Sequence, residues 1–251
     1  MGRNEPLYVK PANWLREQIR SGELSPGQTA PTERELAERF QVSRATAARA
    51  IEVLVNEGLV SGGNSRAGRK IRDGRVLPIH ASRSETLDRR RTAGVDAWVS
   101  DIQEHGLTPG QAIRVEVVPA SNTMASHLRV KAGEPVAVRR RLRTLDGEPN
   151  NVSDSYYPMR LTQQVPEILD PADVPQGVIA LMSERGIIQD HYTDRLRWRP
   201  PTPEEAQLLE IGSGVSVLVQ TRISYANDEV VRVTEQIWPG DRIELIYELP
   251  A

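Results

Sequence analysis

Arginine and threonine side chains gather where one helix begins. Arg44, Thr46 and Arg49 fall within six residues. An arginine fork suits the paired acceptors of guanine or a phosphate, and a threonine hydroxyl can touch either a base edge or a phosphate. A little further on, the run SGGNSRAGRKIRDG places Arg66, Arg69, Lys70 and Arg72 around a glycine-rich tip, within reach of phosphates or a minor groove. This is the chemistry of polyanion recognition. Other chemistries are poorly supplied. The absence of cysteine excludes disulfides, thiolate metal sites and a cysteine nucleophile. His80, His105, His127 and His191 are scattered, without metal-ligand spacing or a partnered nucleophile motif. No catalytic residue, no metal ligand and no cofactor is assigned.

The elements that must position the basic residues read as a small helical bundle. Thr32 followed by Glu35 is a capping-box pattern, and Leu36, Ala37 and Phe40 give the helix that starts near Glu33 one apolar face. Gln41 and Val42 break that helix. Ser43 can cap the next, in which Ala47, Ala50, Ile51, Val53, Leu54 and Leu59 recur at helical spacing. Such a helix enters a major groove by its first turn while its later turns are held in a core. The alternative is an ordinary helical hairpin with a solvated basic end, and the residues that follow weigh against it: two short strands around the glycine-rich tip make a wing. Upstream, Leu7 to Ser21 supplies a first helix, with Trp14, Leu15 and Ile19 on one side.

With 251 residues and 38% hydrophobic content, the chain has room for two cores. Its net charge of −2 hides an asymmetry. Residues 1–75 hold thirteen Lys and Arg against nine Asp and Glu, leaving nineteen against twenty-five for the remainder, so the N-terminal part is the one suited to a polyanion. Nothing resembles a signal peptide, and no apolar run approaches membrane-spanning length. A soluble, cytoplasmic protein that contacts no membrane is expected. Arg outnumbers Lys 29 to 3, which GC-rich coding explains better than selection for bidentate contacts does at most of these positions.

Residues 1–74 thus form a winged helix-turn-helix domain, 75–94 a polar linker with a basic cluster at Arg89, Arg90 and Arg91, and 95–251 a second domain. The cluster either adds phosphate contacts or is simply solvated. A helix from Val95 to His105 ends at Gly106. Beyond Gly110, strand patterns at 112–118, 136–145, 151–157, 191–198, 215–225, 230–238 and 243–249 alternate with helical pieces at 123–128, 178–184 and 203–209. This order predicts an α+β chain, its second domain a largely antiparallel sheet with helices on one face. LDGEP and YANDE are polar turns between adjacent strands.

The run I-R-S-G-x-L-x-P-G-x-x-x-P-T-E-R-E-L-A-x-x-F-x-V-S-R-x-T, from Ile19 to Thr46, resembles the winged helix-turn-helix of the GntR family of bacterial transcription regulators. The resemblance implies that Arg34, Arg44 and Thr46 contact bases and phosphates of a double-stranded DNA operator. Ser43, Arg49, Arg66 and Arg69 complete the candidate DNA-binding set. Two positions depart from the family pattern: Ala48 stands where an arginine is usual, and Arg66 where a wing glycine is common. The family's consensus operator is therefore not transferred.

The second half is similar to the UTRA domain, a chorismate-lyase-like effector-sensing module of the HutC subfamily, through RLRTLDGEP, SYYP, PTPEEAQLLEIGSGVSVL and GDR. That similarity implies an effector pocket lined by Arg141 and Arg143 of an R-x-R strand and by Ser155 and Tyr157 of an S-x-Y strand. Alternation keeps each pair on one face, and paired arginines suit a carboxylate or a phosphate; pairing with acidic neighbours is the other reading of these arginines. Sugar-sensing members often have Glu at two positions that correspond here to Ser153 and Arg232, which weakens an amino-sugar phosphate as the ligand. The expectation is a homodimeric, ligand-responsive repressor that is not an enzyme, released from a pseudo-palindromic operator by a small-molecule effector, an anionic one among the candidates. The competing readings are a constitutive DNA-binding factor whose second domain only dimerises and a lyase-type enzyme with an accessory DNA-binding domain.

Overall fold

Thr32 starts the helix that its capping pattern predicts. Its hydroxyl accepts the Glu35 backbone N–H at 3.2 Å, and the Glu35 carboxylate accepts the Thr32 N–H at 2.8 Å. The structure is a computed structural model that describes residues 5–62, 68–82, 97–172 and 174–249. Helix α1 is Val9–Arg20, α2 is Glu33–Phe40 and α3 is Arg44–Asn56. Gln41 ends α2 in a left-handed conformation, φ 52°, and Ser43 caps α3 by accepting the Thr46 N–H at 3.1 Å. Ala12, Leu15, Leu36, Ala47, Ala50, Leu54, Val60 and Ile71 form the core of this bundle. Behind α3, Val60 pairs antiparallel with Ile71, and Lys70 with Thr29, so the base of the wing is a small sheet.

This first compact unit comprises Met1–Val76 together with Arg199–Val217 and Pro239–Arg242. The later pieces carry a short capped helix, Pro203–Leu208, and they meet the bundle backbone to backbone. The Gly62 N–H donates to the Glu210 carbonyl at 2.6 Å. A Cβ at Gly62, Gly212 or Gly214 would stand 2.6 Å from the carbonyl oxygen of Ile211, Val55 or Asn56 respectively. Only glycine permits so close an approach.

The second unit comprises Leu77–Trp198, Leu218–Trp238 and Ile243–Ala251. In chain order its elements are β1 (Leu77–His80), α4 (Ala97–Glu104), β2 (Pro109–Pro119), α5 (Asn122–Leu128), β3 (Pro135–Leu145), β4 (Glu148–Pro158), α6 (Val178–Glu184) and β5 (His191–Arg199). Counting the helix Pro203–Leu208 as α7, there follow β6 (Val217–Ala226), β7 (Glu229–Pro239) and β8 (Ile243–Ile246). Six strands form one sheet in the order β2-β3-β4-β7-β6-β5, and β1 pairs with β8. The β3–β4 turn has Asp146 and Gly147 at φ 50° and 84°, and the β6–β7 turn has Asn227 and Asp228 at 50° and 63°. Positive φ at both central residues is what a two-residue type I′ hairpin turn requires.

Two expectations need correction. The helices lie on both faces of the sheet: α5 packs with Val136 and Val233, while α6 packs with Ala137 and Tyr157, which point the opposite way. The reason is legible in β3, whose Val136, Ala137 and Val138 are all fully buried and need cover on either side. Within the span read as linker, LPIH forms β1, because this short apolar run pairs in parallel with IELI of β8.

Candidate DNA-contacting surface and effector cavity

The start of α3 presents its polar residues as the capping predicts. Arg44 is exposed. The Thr46 hydroxyl lies 2.9 Å from Ser43 Oγ, fixing both at the helix N-terminus, where backbone N–H groups and the helix dipole favour a phosphate. Arg34 is exposed on α2, 4.0 Å from Glu38. Arg49, also exposed, pairs with Glu52 at 2.9 Å. Arg69 is half-buried at the wing base, its carbonyl accepting the Ala30 N–H at 2.7 Å. Arg66 and the cluster Arg89 to Arg91 lie outside the described residues. Arg72, grouped with the wing arginines above, does something else. Its side chain is 5% exposed, pairs with Asp241 at 2.7 Å and donates to the Gly58 carbonyl at 2.7 Å, so it ties the wing base to the Pro239–Arg242 turn.

In the second unit Arg141, Arg143, Ser155 and Tyr157 line one cavity of about 110 Å³. The register explains their convergence: Arg141 stands opposite Ser153, and Ala137 opposite Tyr157, so odd positions of β3 and β4 share the cavity face. Arg141 is 9% exposed, and its hydrogen bond is a long one, 3.4 Å to Ser155 Oγ. Arg143 lies over the Trp98 ring at 4.5 Å.

The strand order adds residues that local reading did not reach. Arg222 of β6 and Arg232 of β7 also line the cavity, with Thr234, Gln236 and, from α4, Asp101. Arg222 is clamped: Asp194 takes two of its hydrogen bonds, at 2.6 and 2.8 Å, and the Tyr192 ring lies 4.0 Å from its guanidinium. Burial pushes the Asp194 carboxyl up, but Arg222, the Tyr247 hydroxyl and the Gln220 amide outweigh it and hold the group below the ordinary range. Arg232 donates to Gln189 at 3.2 Å and to Ser224 at 3.4 Å. Four guanidiniums against one carboxylate make the lining electropositive. The available signal was β6 itself, where Gln220, Arg222 and Ser224 occupy alternate positions of a strand whose other residues, apart from Thr221 and Tyr225, are aliphatic.

Arg139 shares the face of Arg141 but is fully buried, its guanidinium donating to the carbonyls of Glu167, Ile168, Asp170 and Ala172. It holds the 167–172 loop. Among the described residues no group of three His, Asp or Glu could hold a metal ion, and no helix is long and apolar enough to cross a membrane.

A helix-turn-helix carried with an antiparallel sheet and an arginine-lined cavity is the architecture of a transcription regulator. The comparisons place it further: residues 7–67 match the bacterial regulatory proteins of the gntR family and residues 106–244 match the UTRA domain. The chain belongs to the GntR family, in its UTRA-bearing HutC branch. An HTH-type transcriptional regulator of Streptomyces coelicolor is 29% identical over 99% of this chain and 94% of its own. The HTH-type transcriptional repressor NagR of Bacillus subtilis is 26% identical over 96% of this chain and 94% of its own. The crystal structure of PhnF from Mycobacterium smegmatis superposes with a TM-score of 0.57 at 22% identity, covering 98% of this chain and 99% of that one. The helix-turn-helix is the DNA-binding element.

Proposed function

We propose that this regulator is a repressor that binds a pseudo-palindromic operator as a homodimer and leaves it when a small anionic effector occupies the UTRA cavity. The reading rests on one observation above all: Arg141, Arg143, Ser155 and Tyr157 meet in a single cavity whose lining carries a surplus of guanidinium groups. Arg141, buried and weakly engaged, is the group best placed to receive a carboxylate or phosphate. Ser153 and Arg232, standing where sugar-sensing relatives carry carboxylates, also line it, which favours an effector without an amine. On the DNA side, Arg44 reads a base, Thr46 and Ser43 hold a phosphate at the start of α3, and Arg34, Arg49, Arg69 and Arg66 make further contacts. The protein acts in the cytoplasm, beside the DNA. Release follows only if the effector binds more tightly to a dimer geometry that fits the operator poorly.

A thermal-shift screen of anionic metabolites tests the reading. An effector at 100 times its dissociation constant adds about 2.7 kcal/mol to the folded state and weakens operator binding. Arg143→Ala then loses the response while keeping operator affinity. If no metabolite stabilises the protein or alters operator binding, sensing is overturned and a constitutive DNA-binding factor remains.

A further inference from the structure

One side of helix α3 is spent on the core, where Ala47, Ala50, Ile51, Leu54 and Val55 are buried. The outward side carries Ala45, Ala48, Arg49 and Glu52, spaced i, i+3, i+4 and i+7 and so aligned along one face. Ala45, Arg49 and Glu52 are exposed and Ala48 is half-buried. Arg44 stands exposed beside them at the first turn. The two long charged side chains of the second turn and beyond are turned on one another: Arg49 Nη1 lies 2.9 Å from Glu52 Oε2, and the Arg49 guanidinium stands 5.8 Å from the Tyr8 ring, just ahead of α1. Two methyl groups are left in the middle of the outward side, next to Arg44.

We propose that Ala45 and Ala48 select thymine, their methyl groups packing on the 5-methyl groups of thymines in two neighbouring base pairs of the operator. The inference deepens the reading in which the start of α3 meets base edges in the major groove, and rests on it. Thymine is the one base that shows a methyl group there; guanine, adenine and cytosine show hydrogen-bond donors and acceptors. An alanine offers nothing to those polar groups. Laid against them it strips their water without replacing it, which costs binding, whereas laid against a thymine methyl it buries apolar surface on both sides. The same two side chains therefore favour thymine and disfavour the other bases.

Geometry sets how many methyls are read. Side chains three positions apart on a helix have Cβ atoms roughly 5–6 Å apart, too far to share one thymine methyl and close enough for neighbouring base pairs. Short side chains also let the helix come near the base edges, so that Arg44, one residue before Ala45, reaches the same groove floor without competing for space. Glu52 does not spoil the approach, because Arg49 neutralises it on the helix itself.

The test removes the methyl groups from the DNA and leaves its hydrogen bonds. A duplex selected by the full chain from a random library is titrated by fluorescence anisotropy, with its thymines replaced one at a time by 2′-deoxyuridine. Two neighbouring positions are expected to weaken binding about fourfold each, the worth of one buried methyl. Ala45→Gly should lose the sensitivity at one of them and Ala48→Gly at the other. Each variant is compared with itself on thymine and uracil DNA, so any loss of helix stability from glycine cancels, and circular dichroism checks that both stay folded. Helix propensity also favours alanine at exposed positions, and the DNA substitution separates the two causes. If no uracil substitution weakens binding, methyl reading is overturned and the alanines serve the helix alone. Sensitivity that persists unchanged in both glycine variants assigns the methyls to other residues and overturns the role of Ala45 and Ala48. A library from which the protein selects no sequence overturns base reading by α3 itself.

Discussion

Arg141 and Arg222 line the same cavity and are used in opposite ways. Arg222, buried, is neutralised by Asp194, whose other bonds come from Gln220 and Tyr247. Because folding lowers the Asp194 pKa, the stability it contributes is complete above the unfolded carboxyl's value, about 3.9, and is lost as pH falls through the lower, folded value. Asp194→Asn leaves a buried guanidinium uncompensated and should cost about 3–5 kcal/mol at pH 7. Urea titrations at pH 7 and pH 3 should show the gap narrowing in acid. A gap equally wide at pH 3 would assign the loss to packing instead. On the DNA side, Arg44→Ala should cost about 1–3 kcal/mol on the specific site and flatten discrimination among operator variants; an equal loss on all sequences would make Arg44 a phosphate contact. The R-x-R spacing was legible. Alternation nevertheless treats Arg139, Arg141 and Arg143 alike, and only the loop carbonyls that capture Arg139 distinguish the structural arginine from the two in the lining.

At the scale of elements, local chemistry carried far. Thr32 with Glu35 and Ser43 with Thr46 place the starts of α2 and α3 by hydrogen bonds spanning three residues, which is why a sequence can announce them. Packing between distant elements could not be read in this way. PTPEEAQLLEIGSG, with its helical piece at 203–209, reads as part of the second domain, yet its chain belongs with the helix-turn-helix in one compact unit. There the Gly214 N–H donates to Asn56 Oδ1 at 3.2 Å, and Gly212 lies against the Val55 carbonyl. Gly212→Ala should therefore cost about 1–3 kcal/mol and speed amide exchange at Gly62 and Gly214. Unchanged stability and exchange would mean that the two backbones do not meet this closely. Strands β6 and β7, which bear Arg222 and Arg232, run on into these same segments.

For the whole molecule, the proposed function sets sensing and DNA binding as two sites on one chain, and such a coupling must be reciprocal. Whatever factor the effector takes from operator affinity, the operator must take from effector affinity. Two titrations, effector into free protein and effector into the operator complex, should give dissociation constants differing by that same factor. Unequal factors would sink the two-state release scheme. The sequence by itself determined the winged helix-turn-helix, the order of strands and helices from β2 onward, and the arginine and serine positions that share a strand face, because capping, periodicity and alternation are set by residues a few places apart. Only the tertiary structure decided that β4 lies beside β7, although some seventy residues separate them in the chain. That pairing brings Arg232 and Thr234 to the cavity with Arg141. Its register is fixed by the sum of many weak long-range contacts, each settled only after both strands have been placed against the rest of the sheet.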